Sequence, residues 1–299
     1  MQTFRFPFDA MASRCEIVIA AADETQAHAL AQDAIDEVKR IEDKYSRYRP
    51  DSVVSRINTA AGQAWIECDA ETTSLFDYAD ALFRYSDGLF DITSGVLRRA
   101  WNFNVAQVPS AETLAPLLAL IGWQRVERKE AQLRLPVAGM QIDFGGFGKE
   151  YAADRAASVL AAKGVQHGYV NLAGDLRVIG PQPDGQPWLI GIQDPRQQGR
   201  IVATIPVASG ALATSGDYER FFELDGQRYC HVLDPRTGKS VTHWRSVSVL
   251  APLAVAAGSC TTIAMLKQAA GNGFLDDSGM AYLAIDAQGK ILHNEIPPG

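Results

Sequence analysis

The chain lacks the marks of several large protein classes. Its four cysteines, Cys15, Cys68, Cys230 and Cys260, lie far apart, with no Cys-x-x-Cys unit and no histidine at ligand spacing. That argues against structural zinc and against a disulfide framework. No apolar run approaches the ~18 residues that a membrane-crossing helix needs. Nor is there a basic stripe: Lys and Arg number 28 against 35 Asp and Glu, for a net charge of -7, and the densest basic patch, Arg47 to Arg56, is interrupted by Tyr, Pro and Asp. Nucleic acid is therefore not an expected partner. The opening residues, MQTFRFPFDAMASRCEIVIA, lack the basic, then apolar, then small order of a signal peptide. The reading is a cytosolic protein, or a periplasmic one if a signal peptide has been trimmed.

What is present is the composition of a globular protein with a full core, 47% hydrophobic and 21% charged. A strand is predicted over Cys15–Ala20. Asp23 caps a helix whose apolar residues, from Ala27 to Ile41, repeat at helical spacing up to about Asp43. The loop YSRYRPDS follows, and further helices are predicted over Thr72–Tyr85 and Ser110–Leu120. Ile142–Gly148 reads as a strand entering a glycine turn, and Lys149–Lys163 as a helix. A meander of short strands covers 169–172, 176–179, 188–193, 201–207, 221–224, 228–233 and 246–250. A helix over 256–270 and a hairpin of 281–286 with 291–294 complete the pattern. There is no regular βαβ alternation, no internal repeat and no linker. The expectation is one α+β domain over residues 1–299, with mostly antiparallel or mixed sheets flanked by helices.

Four segments carry chemistry. In YCHVLDPRTG (Tyr229–Gly238) an alternating strand brings His231 to a rigid Asp-Pro corner. In DFGGFGKEYAAD (Asp143–Asp154) three glycines stand between a predicted strand and a helix. Backbone amides there can approach an anion, and Lys149 adds a charge near the helix start. The segment is not a P-loop, because it lacks the Gly-Lys-Ser/Thr ending, and GxGxxG spacing is absent too. NLAGD (Asn171–Asp175) and TSGDYER (Thr214–Arg220) are polar turns carrying acids. Read singly, each fits an ordinary turn as well as a site. Trp101 and Phe103 fit either a core or a shelf for a flat ring.

Together and in this order, the segments resemble the ApbE family of flavin transferases. The resemblance runs through Met11-Ala12-Ser13, YRPDSVVSRIN (Tyr48–Asn58), FDIT (Phe90–Thr93) with Trp101-Asn102-Phe103, DFGGFGK with YAAD, NLAGD, TSGDYER and HVLDPRTG. It implies an ApbE-like, T-fold-related architecture. It also implies transfer of FMN from FAD to a Ser or Thr hydroxyl of a target flavoprotein, with Mg²⁺ and release of AMP. On the same basis Met11 and Tyr48 flank the flavin or adenine rings, and Trp101, Asn102 and Phe103 line the FAD pocket. Asp143 and Lys149 contact FAD. His231 and Val232 lie beside the isoalloxazine and diphosphate. The Gly146 carbonyl and Thr262 ligate the metal. Lys149 and His231 are the expected catalytic groups, Lys149 for charge stabilisation and His231, by side-chain type, as a candidate base, with packing against the flavin as its alternative role.

The chain departs from the family at Gly258, where the family has a metal-ligating Asp four residues before Thr262. Glu150 and Ala173 stand where Gly is usual. Losing a carboxylate matters for Mg²⁺, which usually takes one or two carboxylates with phosphate oxygens. Neither Ser259 nor Thr261 restores the charge. Another acid reaches the metal, or the metal is held weakly, or the protein binds FAD with weak or lost transfer. An FAD pyrophosphatase giving FMN and AMP is a further alternative, which a small residue in place of Tyr48 would favour.

Overall fold

The computed structural model describes residues 1–295. Its centre is an eight-stranded sheet in which every pairing is antiparallel. The strands are β1 (Gln2–Ala10), β2 (Ser13–Ala21), β3 (Gly168–Leu172), β4 (Asp175–Gly180), β5 (Gly210–Gly216), β6 (Trp244–Ala251), β7 (Ala281–Asp286) and β8 (Ile291–His293), side by side in chain order. The helices are α1 (Glu24–Tyr45), α2 (Val53–Thr59), α3 (Ala70–Tyr85), α4 (Ala111–Leu118), α5 (Gly148–Ala162), α6 (Ala254–Lys267) and α7 (Gly271–Ser278). The α+β reading holds, and the sheet is antiparallel rather than mixed.

Alternation along the strands builds two cores. Ile17, Ile19, Val170, Leu172, Ala211, Ala213, Val247 and Val249 join the residues of α1, α5 and α6 in one cluster. The intervening residues Val18, Tyr169, Leu176, Val178, Leu212 and Leu283 pack with Trp188, Ile192, Ala203 and Ile205 of a separate hairpin, Trp188–Gln193 with Ile201–Val207. This is the period-two rule of a sheet covered on both faces. Asp23 caps α1 by accepting from the Gln26 N–H at 2.8 Å, as its side chain predicts. A third cluster lies outside both cores: Leu97, Trp101, Leu114 and Phe222, with Phe103, Tyr229 and Leu233 against it.

Two predicted strands need correction. Residues 142–148 form no strand, because the partners of this backbone are not a neighbouring strand. The Ile142 N–H donates to Asn58 Oδ1 at 2.7 Å, the Ile142 carbonyl accepts from Asn58 Nδ2 at 3.0 Å, and the Asp143 N–H donates to the Ile92 carbonyl at 2.8 Å. The segment is therefore an extended loop entering α5. The strand carrying His231 ends at Cys230, having begun at Gln227. Ser240 Oγ accepts the Cys230 N–H at 2.8 Å, a side chain taking the place of a ladder bond, while the His231 N–H turns to the Arg220 carbonyl at 2.9 Å.

Candidate functional site

The site is built around the start of α5. Gly146 admits the turn because a Cβ there would sit 2.8 Å from the Phe90 ring. The next turn presents Lys149, Glu150 and Asp154. Asp154 fixes α5 against α6. Its two carboxylate oxygens accept the Ala254 and Val255 N–H groups at 2.9 Å each. Leu253, the residue preceding α6, has no side-chain oxygen to cap it, so the cap comes from the neighbouring helix. Arg177 balances the charge at 3.2 Å.

One turn back along α5 and one turn on along α6, Glu150 faces Gly258. A Cβ on residue 258 would lie 2.6 Å from both Cγ and Oε1 of Glu150. The space that an α6 side chain would need already holds a carboxylate. Glu150 is only 8% exposed, and its Oε2 has no hydrogen-bond partner among the described residues. Burial first, and then the charge of Asp175, push its carboxyl well above the usual range, with Lys149 opposing. Lys149 itself forms an ion pair with Asp175, the first residue of β4. Burial works against the ammonium, but Asp175 and Glu150 outweigh it and hold Lys149 protonated.

Hydroxyls complete this pocket. Ser215 on β5 lies 2.7 Å from Thr261 Oγ1 and 3.4 Å from Thr262 Oγ1, and the Thr261 hydroxyl donates to the Gly258 carbonyl at 2.8 Å. Ser259 accepts from the Tyr78 hydroxyl at 3.0 Å. Among the described residues no three His, Cys, Asp or Glu side chains gather into a metal cluster. The donors are instead two carboxylates, hydroxyls and backbone carbonyls. That set of hard oxygens, with one buried carboxylate oxygen unsatisfied, fits Mg²⁺.

A second group surrounds His231. Its Nδ1 is buried without a partner. Burial, then the Arg98 and Arg220 charges, pull its pKa down to about 4, so the ring is neutral at pH 7. Lys149 also acts on it, which places the two expected catalytic residues in one electrostatic neighbourhood. Arg98 was not picked out by sequence reasoning. It is half-buried, makes no ion pair or hydrogen bond with the described residues, and lies 5.4 Å over the Phe103 ring. Burial lowers its pKa from the ordinary arginine value, with Asp143 the main group opposing that shift. The only hint was its place in GVLRRAWNF, three residues before Trp101.

Arg98 joins this polar group to an aromatic shelf. Trp101 and Phe103 stack at 5.7 Å with planes 9° apart, and Phe222 and Tyr229 stack at 5.2 Å. Trp101 is buried and donates its Nε1–H to the Gly238 carbonyl at 2.8 Å, which ties the shelf to the HVLDPRTG corner. Asn102 is exposed and accepts from the Asn104 N–H at 3.0 Å. Asp143 pairs with Arg47 at 2.8 Å and accepts the Gly145 N–H at 2.9 Å. Val232 is buried, its carbonyl bonded to the Val241 N–H. Tyr48 is 82% exposed, with the Arg47 guanidinium 5.7 Å above its ring. Met11 occupies the β1–β2 turn with φ 53°, its N–H bonded to Glu42 Oε1 at 2.8 Å. No hydrogen bond links Met11, Tyr48 or Asn102 to Lys149 or Glu150 among the described residues.

Three other acids of the quoted segments are structural. Asp91 accepts from the Thr93 and Trp123 N–H groups, Asp234 accepts the Arg236 N–H within its own turn, and Asp217 forms a bidentate pair with Arg196. Ala173, in place of the usual Gly, adopts φ 53° before Gly174.

A family model described as the ApbE family matches residues 11–284. The chain belongs to the ApbE family. The FAD:protein FMN transferase of Vibrio cholerae is 32% identical over 218 residues, covering 71% of this chain and 65% of that protein, slightly under two thirds of its length. That of Escherichia coli is 28% identical over 269 residues, covering 85% and 75%. The crystal structure of the ApbE protein of Thermotoga maritima superposes with a TM-score of 0.90 at 33% identity, over 98% of this chain and 97% of that one. The sequence resemblance and the antiparallel α+β fold thus converge on one family. No helix among the described residues is long and apolar enough to cross a membrane.

Proposed function

We propose that this ApbE-family protein transfers FMN from FAD onto a Ser or Thr hydroxyl of a target protein. The observation that supports this best is Arg98, a guanidinium without an acceptor among the described residues, set between a stacked aromatic shelf and the neutral His231. A ring-binding surface that runs into uncompensated positive charge suits a flavin attached to a diphosphate. In the reaction the target hydroxyl oxygen forms a bond to the FMN phosphorus, the bond from that phosphorus to the bridging oxygen of AMP breaks, and AMP leaves with the electron pair. The hydroxyl proton goes to a base.

Each residue has a part in this reading. Trp101, Asn102, Phe103, Val232, Met11 and Tyr48 bind and orient the FAD rings. Asp143 pairs with Arg47 and holds that guanidinium at the pocket. Lys149 and Arg98 provide fixed positive charge for the diphosphate, so that little reorganisation is needed as charge shifts to the leaving phosphate. His231, neutral through the physiological range, is in the form that accepts a proton. The Gly146 carbonyl and Thr262 would hold Mg²⁺, which when bound supplies a Lewis acid on the phosphate oxygens.

The test is incubation with FAD, Mg²⁺ and a target domain bearing an acceptor Thr or Ser. The expected outcome is flavin fluorescence that stays with the denatured target, together with stoichiometric AMP. Free FMN with AMP would replace this reading by hydrolysis of FAD. FAD bound but unchanged would replace it by a binding protein without turnover.

A further inference from the structure

We propose that Glu150 is the metal-ligating carboxylate of this chain, delivered from α5 into the place that the family gives to an aspartate on α6. The inference rests on the reading above that a divalent cation works in this pocket. It deepens that reading by exchanging the helix from which a ligand comes.

Three observations carry it. First, Glu150 and Gly258 are complementary in shape: the carboxylate lies where a residue-258 side chain would begin, 2.6 Å from its Cβ position. Neither residue is the usual one, and each departure makes sense only with the other. A larger residue at 258 would strike Glu150, and Glu150 would be excluded by an aspartate at 258. Second, the register is fixed from outside the pair. Asp154 binds the first N–H groups of α6, so the residue one turn earlier on α5 must face the residue one turn later on α6. Third, the buried Oε2 of Glu150 has no hydrogen-bond partner among the described residues. A buried carboxylate oxygen without a donor is costly and rare, and a cation bound between Glu150, Thr262 and the Gly146 carbonyl satisfies it. The lost α6 carboxylate is therefore a relocation and not a defect. An aspartate at 258 does not repair the site in this chain, since its side chain would enter space that Glu150 already occupies.

The experiment measures Mn²⁺ binding directly, from the free-ion electron paramagnetic resonance signal, with and without FAD. FAD affinity in metal-free buffer is followed separately by tryptophan quenching. Four proteins are compared: the natural chain, E150Q, G258D and the exchanged pair E150G/G258D. E150Q keeps the shape while removing the charge, and should weaken Mn²⁺ binding by about 10-fold or more. G258D alone should lower the denaturation temperature and bind Mn²⁺ no better than the natural chain. The exchanged pair should recover Mn²⁺ affinity to within about 3-fold of the natural protein, because it restores one carboxylate to one space. Mn²⁺ binding by E150Q equal to that of the natural chain, or an exchanged pair no better than E150Q, overturns the proposal. Should E150Q fail to fold, the exchanged pair alone decides. A natural protein that binds Mn²⁺ through Glu150 but no FAD would overturn the flavin reading and leave this one standing.

Discussion

The two halves of the site satisfy themselves to very different degrees. The aromatic shelf is close to complete without ligand: Trp101 stacks on Phe103, Phe222 stacks on Tyr229, and the indole N–H of Trp101 has its acceptor in the Gly238 carbonyl. The polar pocket is not. Among the described residues the buried Glu150 Oε2 and His231 Nδ1 have no partner, and Arg98 has no acceptor. Buried polar groups normally find partners, and exceptions call for a reason. The contrast separates labour within the site. The shelf is folded-state structure that supports the flavin, whereas the polar pocket holds interactions in reserve for a diphosphate and a cation. Substitutions in the shelf should therefore act on stability first, and substitutions in the pocket on ligands first.

The largest expected effect breaks the shelf. Trp101→Ala removes a buried indole, two stacked neighbours and a hydrogen bond to the Asp-Pro corner. Loss of a large buried aromatic typically costs about 3–5 kcal/mol. Chemical denaturation of the protein without FAD should show a loss of this order. A loss below about 1 kcal/mol would mean that the shelf is not assembled before FAD arrives, and would erase the comparison.

Next comes the pH dependence of stability set by His231. Its folded pKa, about 4, lies below the ordinary value of 6.5, so the unfolded chain binds the proton more readily. Stability from this group is then fully present above about pH 6.5 and is lost as pH falls toward 4. A displacement of that size corresponds to about 3 kcal/mol. Unfolding free energy measured from pH 7 to pH 4 should fall accordingly, and His231→Asn should flatten that part of the curve. An unchanged slope in the variant would mean that His231 is solvated and already satisfied. FAD should shift the curve too, because its phosphates beside the ring favour the protonated form.

Much of the fold was legible in the sequence, and the reasons it failed elsewhere are specific. Strong helical periodicity and an Asp cap made α1 readable, and the second-half strands were marked by Gly, Asp and Pro turns. β1 went unread although Phe4, Phe6 and Phe8 alternate. Pro7 interrupts that run, and an edge strand tolerates it. β5, GALATSG, has small residues and almost no β-branched ones; it is a strand because β4 and β6 flank it. The extended 142–148 segment reads as a strand because its side chains do alternate, yet its partners are an asparagine side chain and a loop carbonyl. In the site, each motif residue could be named, but the pairing of Glu150 with Gly258 could not, since it depends on the register of two helices far apart in the chain. Both departures were visible, and only the cap from Asp154 shows that they are one change.

A smaller effect, in the opposite half of the comparison, concerns Arg98. With no acceptor among the described residues to lose and the Phe103 ring beneath it, Arg98→Gln should leave folded stability nearly unchanged. FAD affinity should fall about 10-fold or more at low salt, which is about 1.4 kcal/mol, with a smaller difference at high salt. FMN affinity should fall less if Arg98 serves the diphosphate rather than the ring. A stability loss larger than the binding loss would move Arg98 from the reserve to the scaffold.

The smallest effect on the protein itself is expected at Tyr48, and it is the most discriminating. Tyr48 stands in solvent, and its one contact of note is the Arg47 guanidinium over its face. Exposed cation–π pairs contribute about 0.5–1 kcal/mol, and surface substitutions usually lie within about 0.5 kcal/mol. Tyr48→Ala should thus unfold within about 1 kcal/mol of the natural chain. In the presence of FAD its consequence is different in kind. An exposed aromatic beside Arg47 and Asp143 can close over a bound ring and keep water from the phosphorus while the target hydroxyl approaches. Its removal should raise the ratio of free FMN to protein-bound flavin, with AMP released in both cases. The assay is chromatographic separation of the two flavin products at matched FAD turnover. If that ratio stays fixed while FAD affinity falls, Tyr48 contributes contact alone, and the exclusion of water must come from the target protein's own docking.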